Sequence, residues 1–399
     1  MVVLGLLSTF GPLSLDLYLP ALPELADELS ATPSAAQLTI TACLIGLAVG
    51  QLVAGPLSDR FGRRRPLLVG LVAYLLVSVA CAFAPSVAVL VVLRLVQGLA
   101  GAAGLVIARA VARDLYEGRP LVLFFSRLTL ISGLAPVVAP VLGGQLSRVM
   151  TWRGIFWVLS GFGALLLLAG LAQRETLPPQ RRSTGGLTAT LRGFQILLRD
   201  RFFVGAALSS GLAAASMFAY IAGATFVLQR IYGLSAQGFS FAFGLNSVGI
   251  MAMSQVGGRL SRRWSTVRVL ALGLALNLLG AVALAVTVLL GLGLVFLVPS
   301  LFVMVSALGL VFPTATALAM ADYPDRAGAA SSLLGLGQFV FGAVVAPLVG
   351  IAGEGTAVPL GVVALTASTC ASAVFLALVL PSVRVARRRE VLPEAPPPG

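Results

Sequence analysis

Gly55-Pro-Leu-Ser-Asp59-Arg60-Phe-Gly62-Arg63-Arg64-Arg65 is the stretch that decides the fold. Apolar runs flank it at 37–57 and 67–84. Each comes close to the roughly 20 residues that a helix needs to cross a hydrocarbon layer. An acid and four arginines packed between two such runs read as a tight polar turn joining membrane helices. Gly62 permits the turn, the arginines stay in water, and Gly55 permits close helix contact.

Working outward, the same kind of run recurs along the chain. The spacing predicts spans at 2–23, 37–57, 67–84, 87–108, 121–147, 154–172, 203–228, 237–258, 267–290, 293–319, 327–352 and 357–380. Composition agrees: 58% of residues are hydrophobic and only 10% charged, against about 25% charged in a soluble domain. All 27 basic residues are arginine and the net charge is +13. Such an excess can mark a nucleic-acid partner, but the positions argue for topology instead. With the N-terminus inside, 23 arginines fall in inner loops and tail, 3 (Arg148, Arg153, Arg230) in outer loops, and Arg94 within a span. Arginines mark the cytoplasmic side of membrane loops. The reading is therefore a multi-pass protein of the inner (cytoplasmic) membrane with both termini cytoplasmic, no nucleic-acid partner, and anionic lipids near the cytoplasmic arginines. Met1 leads directly into an apolar segment without a basic n-region or an A-x-A site, so the first segment is expected to be a retained span. Cys43, Cys81 and Cys370 lie singly in apolar runs, which predicts neither a disulfide framework nor a metal site.

The expected organisation is a six-helix bundle over 1–172, a cytoplasmic linker over 173–202, a second bundle over 203–380 and a disordered cytoplasmic tail over 381–399. The linker is polar and arginine-rich and has room for a short amphipathic helix on the inner membrane surface. The halves echo one another. Gly258-Arg-Leu-Ser-Arg-Arg-Trp-Ser follows span eight as the opening motif follows span two, and Ala139-Pro-Val-Leu-Gly143 in span five matches Ala346-Pro-Leu-Val-Gly350 in span eleven. A parallel repeat of this kind is a transporter architecture whose substrate site lies between the halves near the midplane.

The opening motif, Gly55 to Arg65, resembles the signature loop of the major facilitator superfamily throughout. Ala135-Pro136-Val-Val-Ala-Pro140-Val-Leu-Gly143-Gly144 in span five and Gly11-Pro-Leu-Ser-Leu-Asp16-Leu-Tyr18-Leu-Pro20 in span one look like its bicyclomycin-resistance (Bcr/CflA) branch of twelve-helix drug:proton antiporters. Ala135 and Ala139 stand where the general antiporter motif prefers glycine. The resemblance implies an all-α major facilitator fold of two pseudo-symmetric six-helix halves, working by alternating access. It implies gating by Gly55, Asp59, Arg60, Gly62, Arg63 and Arg64, with Asp114 a partner for Arg63 or Arg64, and by Pro136, Pro140, Gly143 and Gly144 of a loosened span five. Arg94-Leu-Val-Gln97-Gly98 resembles the family's intramembrane arginine motif, associated with proton coupling; the alternative is a structural arginine that bonds backbone carbonyls.

An acid census adds an argument from the residues alone. Of fourteen acids, only Asp16 lies well inside a span, and the chain has no histidine to relay a proton. Asp16 and Arg94 each stand seven residues from the outer end of their spans, about 10 Å deep at 1.5 Å per residue. That shared depth predicts a pair, with Asp16 taking up a proton or cationic drug and Arg94 tuning it. Tyr18, Gln37, Gln97, Met217, Phe218, Tyr220, Asn246 and Gln338 are candidates for an apolar cavity wall with sparse polar groups, which suits lipophilic compounds. The expected function is proton-driven efflux of lipophilic or cationic drugs by a monomer, with a proton gradient and no cofactor. An exporter of a natural metabolite is the main alternative, a non-transporting sensor or membrane-embedded enzyme a remote one. No catalytic triad, metal cluster or phosphate loop is visible.

Overall fold

The computed structural model describes residues 2–116, 135, 138–182, 194–321, 323, 327–351, 353 and 355–382. Among these, ten helices are long and apolar enough to cross a bilayer. Spans two, three, four and six are Pro33–Phe61, Arg64–Ala82, Val87–Leu115 and Trp152–Ala172. Spans seven to twelve are Arg201–Ile231, Ala236–Leu260, Thr266–Leu290, Leu294–Met320, Ala329–Val349 and Val358–Ser382. The two closest junctions separate cleanly. Ser86 caps span four by accepting from the Val89 amide at 3.4 Å. Gly291, at φ +62°, ends span nine in the left-handed region that a side chain disfavours.

Span one is not the single helix 2–23. It is built from Val2–Leu7, Phe10–Asp16, a 3₁₀ turn Leu19–Ala21 and Leu22–Glu28. Pro20 lacks the amide that would continue the ladder and disfavours helix at Leu19, so the chain leaves the α-helix after Asp16 and restarts with Pro23 in its first turn. Of span five, Ala135 and residues 138–146 are helical; Pro136, expected to help loosen this span, lies outside the described residues. So do 183–193 of the linker, which otherwise shows a 3₁₀ turn at Pro179–Arg181 and one helical turn at 194–197, and the tail beyond residue 382.

Close packing is set by small residues, as expected where lipid gives helices no hydrophobic reason to associate. A Cβ on Gly46 would lie 2.1 Å from the Leu95 carbonyl oxygen, and one on Gly98 would lie 2.2 Å from that of Cys43, so spans two and four touch backbone to backbone. The second half repeats the contact between spans eight and ten, where a Cβ on Gly309 would lie 2.2 Å from the Ile250 carbonyl oxygen. Gly55 does not share this role: its Cβ would meet only a Val106 methyl at an ordinary 3.8 Å, because the helices have diverged two turns below Gly46.

Candidate functional site

Asp16 is the last residue of its helical segment and is 5% exposed. It opens on a cavity of about 350 Å³ between the halves. Spans one and four contribute Ser8, Gly11, Leu15, Leu105 and Arg109; spans seven, eight, ten and eleven contribute Met217, Phe218, Tyr220, Ile221, Phe243, Asn246, Ser247, Ile250, Val305, Phe312 and Phe339. Tyr220 Oη and Asn246 Oδ1 are buried, and neither makes a well-formed hydrogen bond to a described residue. Buried polar groups are normally partnered. Asp16, Tyr220 and Asn246 line this one aromatic cavity, with the Tyr220 hydroxyl beside the Asn246 amide.

Arg94 is fully buried but no hydrogen bond or ion pair joins it to Asp16. Its Nη2 donates to the Ser14 carbonyl at 2.7 Å and its Nη1 to Gln97 Oε1. The guanidinium lies 4.4 Å from the Tyr18 ring centroid and 5.7 Å from that of Phe156. The predicted pair fails on azimuth, not depth. Residues 14 and 18 fall on one side of a helical turn, and residue 16 lies about 200° away at 100° per residue. Ser14 and Tyr18 thus face Arg94, while Asp16 faces the cavity. Ser14 belongs to the last turn before the break, where carbonyls lose their intrahelical donors. Arg94 supplies a donor there, and π faces and a carbonyl replace a carboxylate counterion.

The other expected lining residues divide in the same way. Met217, Phe218, Tyr220 and Asn246 line the cavity. Tyr18 is buried inside the first half, bonded to Thr39 at 2.9 Å. Gln97 donates to Ser78 at 2.7 Å and Gln338 to Ser210 at 3.0 Å, so each holds its own bundle. Gln37 crosses between halves to the Ala222 carbonyl at 3.1 Å, away from the cavity. Arg109 was expected in an inner loop. Span four runs on to Leu115, and Arg109 lines the cavity instead. The alanine-rich run 108–112, which sustains a helix, was the signal for it.

The cavity is closed at the arginine-poor end by bonds between the halves. Ser34 donates to the Pro347 carbonyl at 3.1 Å, Thr41 to that of Ala343 at 3.2 Å, Gln229 to that of Pro20 at 3.2 Å and Gln237 to that of Gly144 at 2.8 Å. Arg230 pairs with Asp27 across the same seam. The repeated Ala-Pro-x-x-Gly motif accounts for the fit. A Cβ on Gly143 would lie 2.0 Å from the Leu17 carbonyl oxygen within the first half, while across the seam one on Gly144 would lie 2.2 Å from Ser240 Oγ and one on Gly350 2.4 Å from Gln37 Oε1. Pro140 sits one turn before the first of these contacts, within the helical stretch 138–146.

Residues 4–347 match the sequence profile of the Major Facilitator Superfamily. The chain belongs to the major facilitator superfamily. It is 42% identical over 94% of both chains to the uncharacterized MFS-type transporter YdgK of Bacillus subtilis. It is 32% identical over 90% of both chains to a bicyclomycin resistance protein homolog of Haemophilus influenzae, which fits the Bcr/CflA branch. Its fold superposes on the nucleoside transporter NupG with a TM-score of 0.75, at 13% identity, covering 95% of this chain and 98% of that one. The protein is thus a membrane transporter and not an enzyme.

In this member of the superfamily the signature loop is held by acids of its own half and linker. Arg63 pairs with Asp59, and its Nε donates to Asp114 at 2.9 Å. Arg64 donates to the Leu171 carbonyl at 2.9 Å, while Arg60 lies exposed over the Phe61 ring. These contacts tie spans two, three, four and six together and do not reach the second half. Glu175, which sequence reasoning passed over as one acid in an arginine-rich linker, is central. It accepts from the amides of Arg63, Arg64, Thr176 and Leu177 at 2.8, 3.2, 3.0 and 3.0 Å, and so caps the start of span three. Gly62 has φ +88°, which favours glycine, and a Cβ there would lie 2.4 Å from Glu175 Oε2 and displace the carboxylate. Partial burial pushes the Glu175 carboxyl up, but the four amide donors outweigh it and hold it below its ordinary value. A depressed carboxyl stabilises the fold above the unfolded pKa, about 4.3, and the contribution is lost as pH falls through the folded value. Glu175→Gln should therefore loosen the loop at neutral pH, raising hydrogen exchange at the Arg63 and Arg64 amides about 10-fold, the equivalent of roughly 1.4 kcal/mol. Unchanged exchange would contradict this role.

Proposed function

We propose that the protein exports lipophilic small molecules, drugs among them, in exchange for protons, through alternating access. The arginine-rich end is assigned to the cytoplasm under the positive-inside rule. The cavity is then closed to the outside, poised to load from within. One observation carries the reading: Asp16, a carboxylate without a basic partner among the described residues, lines the cavity that both halves build. A carboxylate placed there can hold either a proton or a substrate group, so loading one displaces the other. One such group limits simple exchange to one proton per turnover.

The relative's name makes bicyclomycin a reasonable first compound. In inverted vesicles with an acid interior, adding a transported compound should dissipate the proton gradient; a panel of lipophilic drugs that leaves the gradient untouched would contradict the reading. Arg109 narrows the substrate range. An exposed guanidinium in the cavity wall disfavours permanent cations. At an effective dielectric near 40 and about 8 Å, the repulsion is roughly 1 kcal/mol, or about 5-fold. Arg109→Gln should improve competition by a permanent cation such as ethidium about 5-fold, with neutral competitors unchanged. Equal cation competition in both proteins would remove Arg109 from selectivity.

A further inference from the structure

The loop after span eight repeats the loop after span two position by position, and the repeat reverses one charge. Gly55-Pro-Leu-Ser-Asp59-Arg60-Phe61 corresponds to Gly258-Arg259-Leu260-Ser261-Arg262-Arg263-Trp264. Where the first loop has Asp59 to neutralise Arg63, the second has Arg262. A further arginine, Arg259, stands where the first loop has Pro56.

The consequence is a groove of about 430 Å³ lined by Arg259, Arg262, Arg263, Val256 and Leu260. All three arginines are exposed, and their side chains make no ion pair or hydrogen bond with a described residue. In the first half Arg63 has two carboxylate partners. Three unpaired guanidinium groups around one groove repel each other, so an anion bound between them is favoured. Guanidinium forks match phosphate oxygens in paired hydrogen bonds. The groove also has an apolar wall. Val256 and Leu260 are one turn apart on span eight, on the face that continues into Arg259 and Arg263. Val256 is 42% exposed, and Trp264, 45% exposed, directly follows the groove residue Arg263 in the chain, where an interfacial tryptophan is expected. Topology alone needs arginines at this end of the molecule, but it does not need three of them converging beside an aliphatic strip.

We propose that this groove binds an anionic phospholipid, its phosphate held between Arg259, Arg262 and Arg263 and its acyl chains lying along Val256 and Leu260. The site lies at the end of span eight, outside the transport cavity. Free phosphate would satisfy the arginines but leave the aliphatic strip unused.

Trp264 reports on the site. The full chain is reconstituted in phosphatidylcholine vesicles, and its tryptophan emission is followed as phosphatidylglycerol with brominated acyl chains is added. Trp264→Phe identifies the part of the signal that comes from this residue. Half-maximal quenching of that part is expected at a mole fraction at least 5-fold lower than with brominated phosphatidylcholine, and inorganic phosphate at millimolar concentration should not displace the lipid. Arg262→Asp restores the acid of the first loop while keeping two arginines; it should bring the two lipids to within 1.5-fold of each other. Equal quenching by the two lipids in the unaltered protein would overturn the proposal without any variant. Full displacement by inorganic phosphate would reduce the groove to a simple anion site and also overturn it, as would an undiminished lipid preference in Arg262→Asp.

Discussion

Asp16→Asn should cut gradient-driven export at least 10-fold while leaving exchange of substrate across the membrane without a gradient within about 3-fold of the unaltered protein. Among the described residues the side chain is the acid of the cavity, and no arginine or hydrogen-bond donor is bonded to it. Asparagine has nearly the same shape and can still accept a hydrogen bond, so cavity packing and fold should survive. It cannot release a proton, so the step that couples substrate to proton is removed. A protein limited to one loading state can still shuttle compound down its own gradient. The measurement is uptake of a transported compound into inverted vesicles, with and without an imposed pH difference. If coupling persists at full strength, the proton is carried elsewhere.

Arg94→Met should act on stability and leave the pH dependence of transport where it was. Removing the guanidinium strips the Ser14 carbonyl and Gln97 Oε1 of their donors in a fully buried site. A lost partner in such a site costs about 3 kcal/mol. Methionine fills much of the volume but donates nothing. The expected result is a clear fall in the melting midpoint of the detergent-purified protein. Arg94→Lys should recover little, since one ammonium cannot reproduce two directed bonds and a planar contact with Tyr18 at 4.4 Å. Thermal unfolding followed by tryptophan emission checks the first part, and a pH profile of transport checks the second. A shifted profile with unchanged stability would show that Arg94 acts on the coupling acid after all.

These two residues also show how far a linear reading reaches. Spans were legible because a bilayer demands long apolar runs, and most observed ends fall within a few residues of the expected ones. Span four was read as ending at 108 because Arg109 and Arg113 looked like loop residues, whereas a helix can carry arginines at its end and turn them toward a cavity or water. The depth of Asp16 and Arg94 was legible from the rise per residue. Their direction was also written in the sequence, in the four-residue spacing of Ser14 and Tyr18, but depth alone does not use it.

The cavity wall was half legible. Asn246 stands out as a polar residue in the middle of a span, and Met217, Phe218 and Tyr220 cluster in one. Phe243, Phe312 and Phe339 carried no such mark, because a phenylalanine facing lipid and one facing a cavity are chemically alike in sequence. Gln37 and Gln97 misled for the opposite reason. A buried amide between helices satisfies backbone or side-chain groups as readily as it meets a substrate.

The central claim is that Asp16 exchanges a proton for substrate, and proton release on binding tests it most directly. Purified protein in weakly buffered detergent solution, with a pH indicator dye, is mixed with a saturating compound that it transports. The account predicts release of about one proton per protein from the unaltered chain, in line with a single coupling carboxylate, and none from Asp16→Asn. Equal release from both proteins would contradict it.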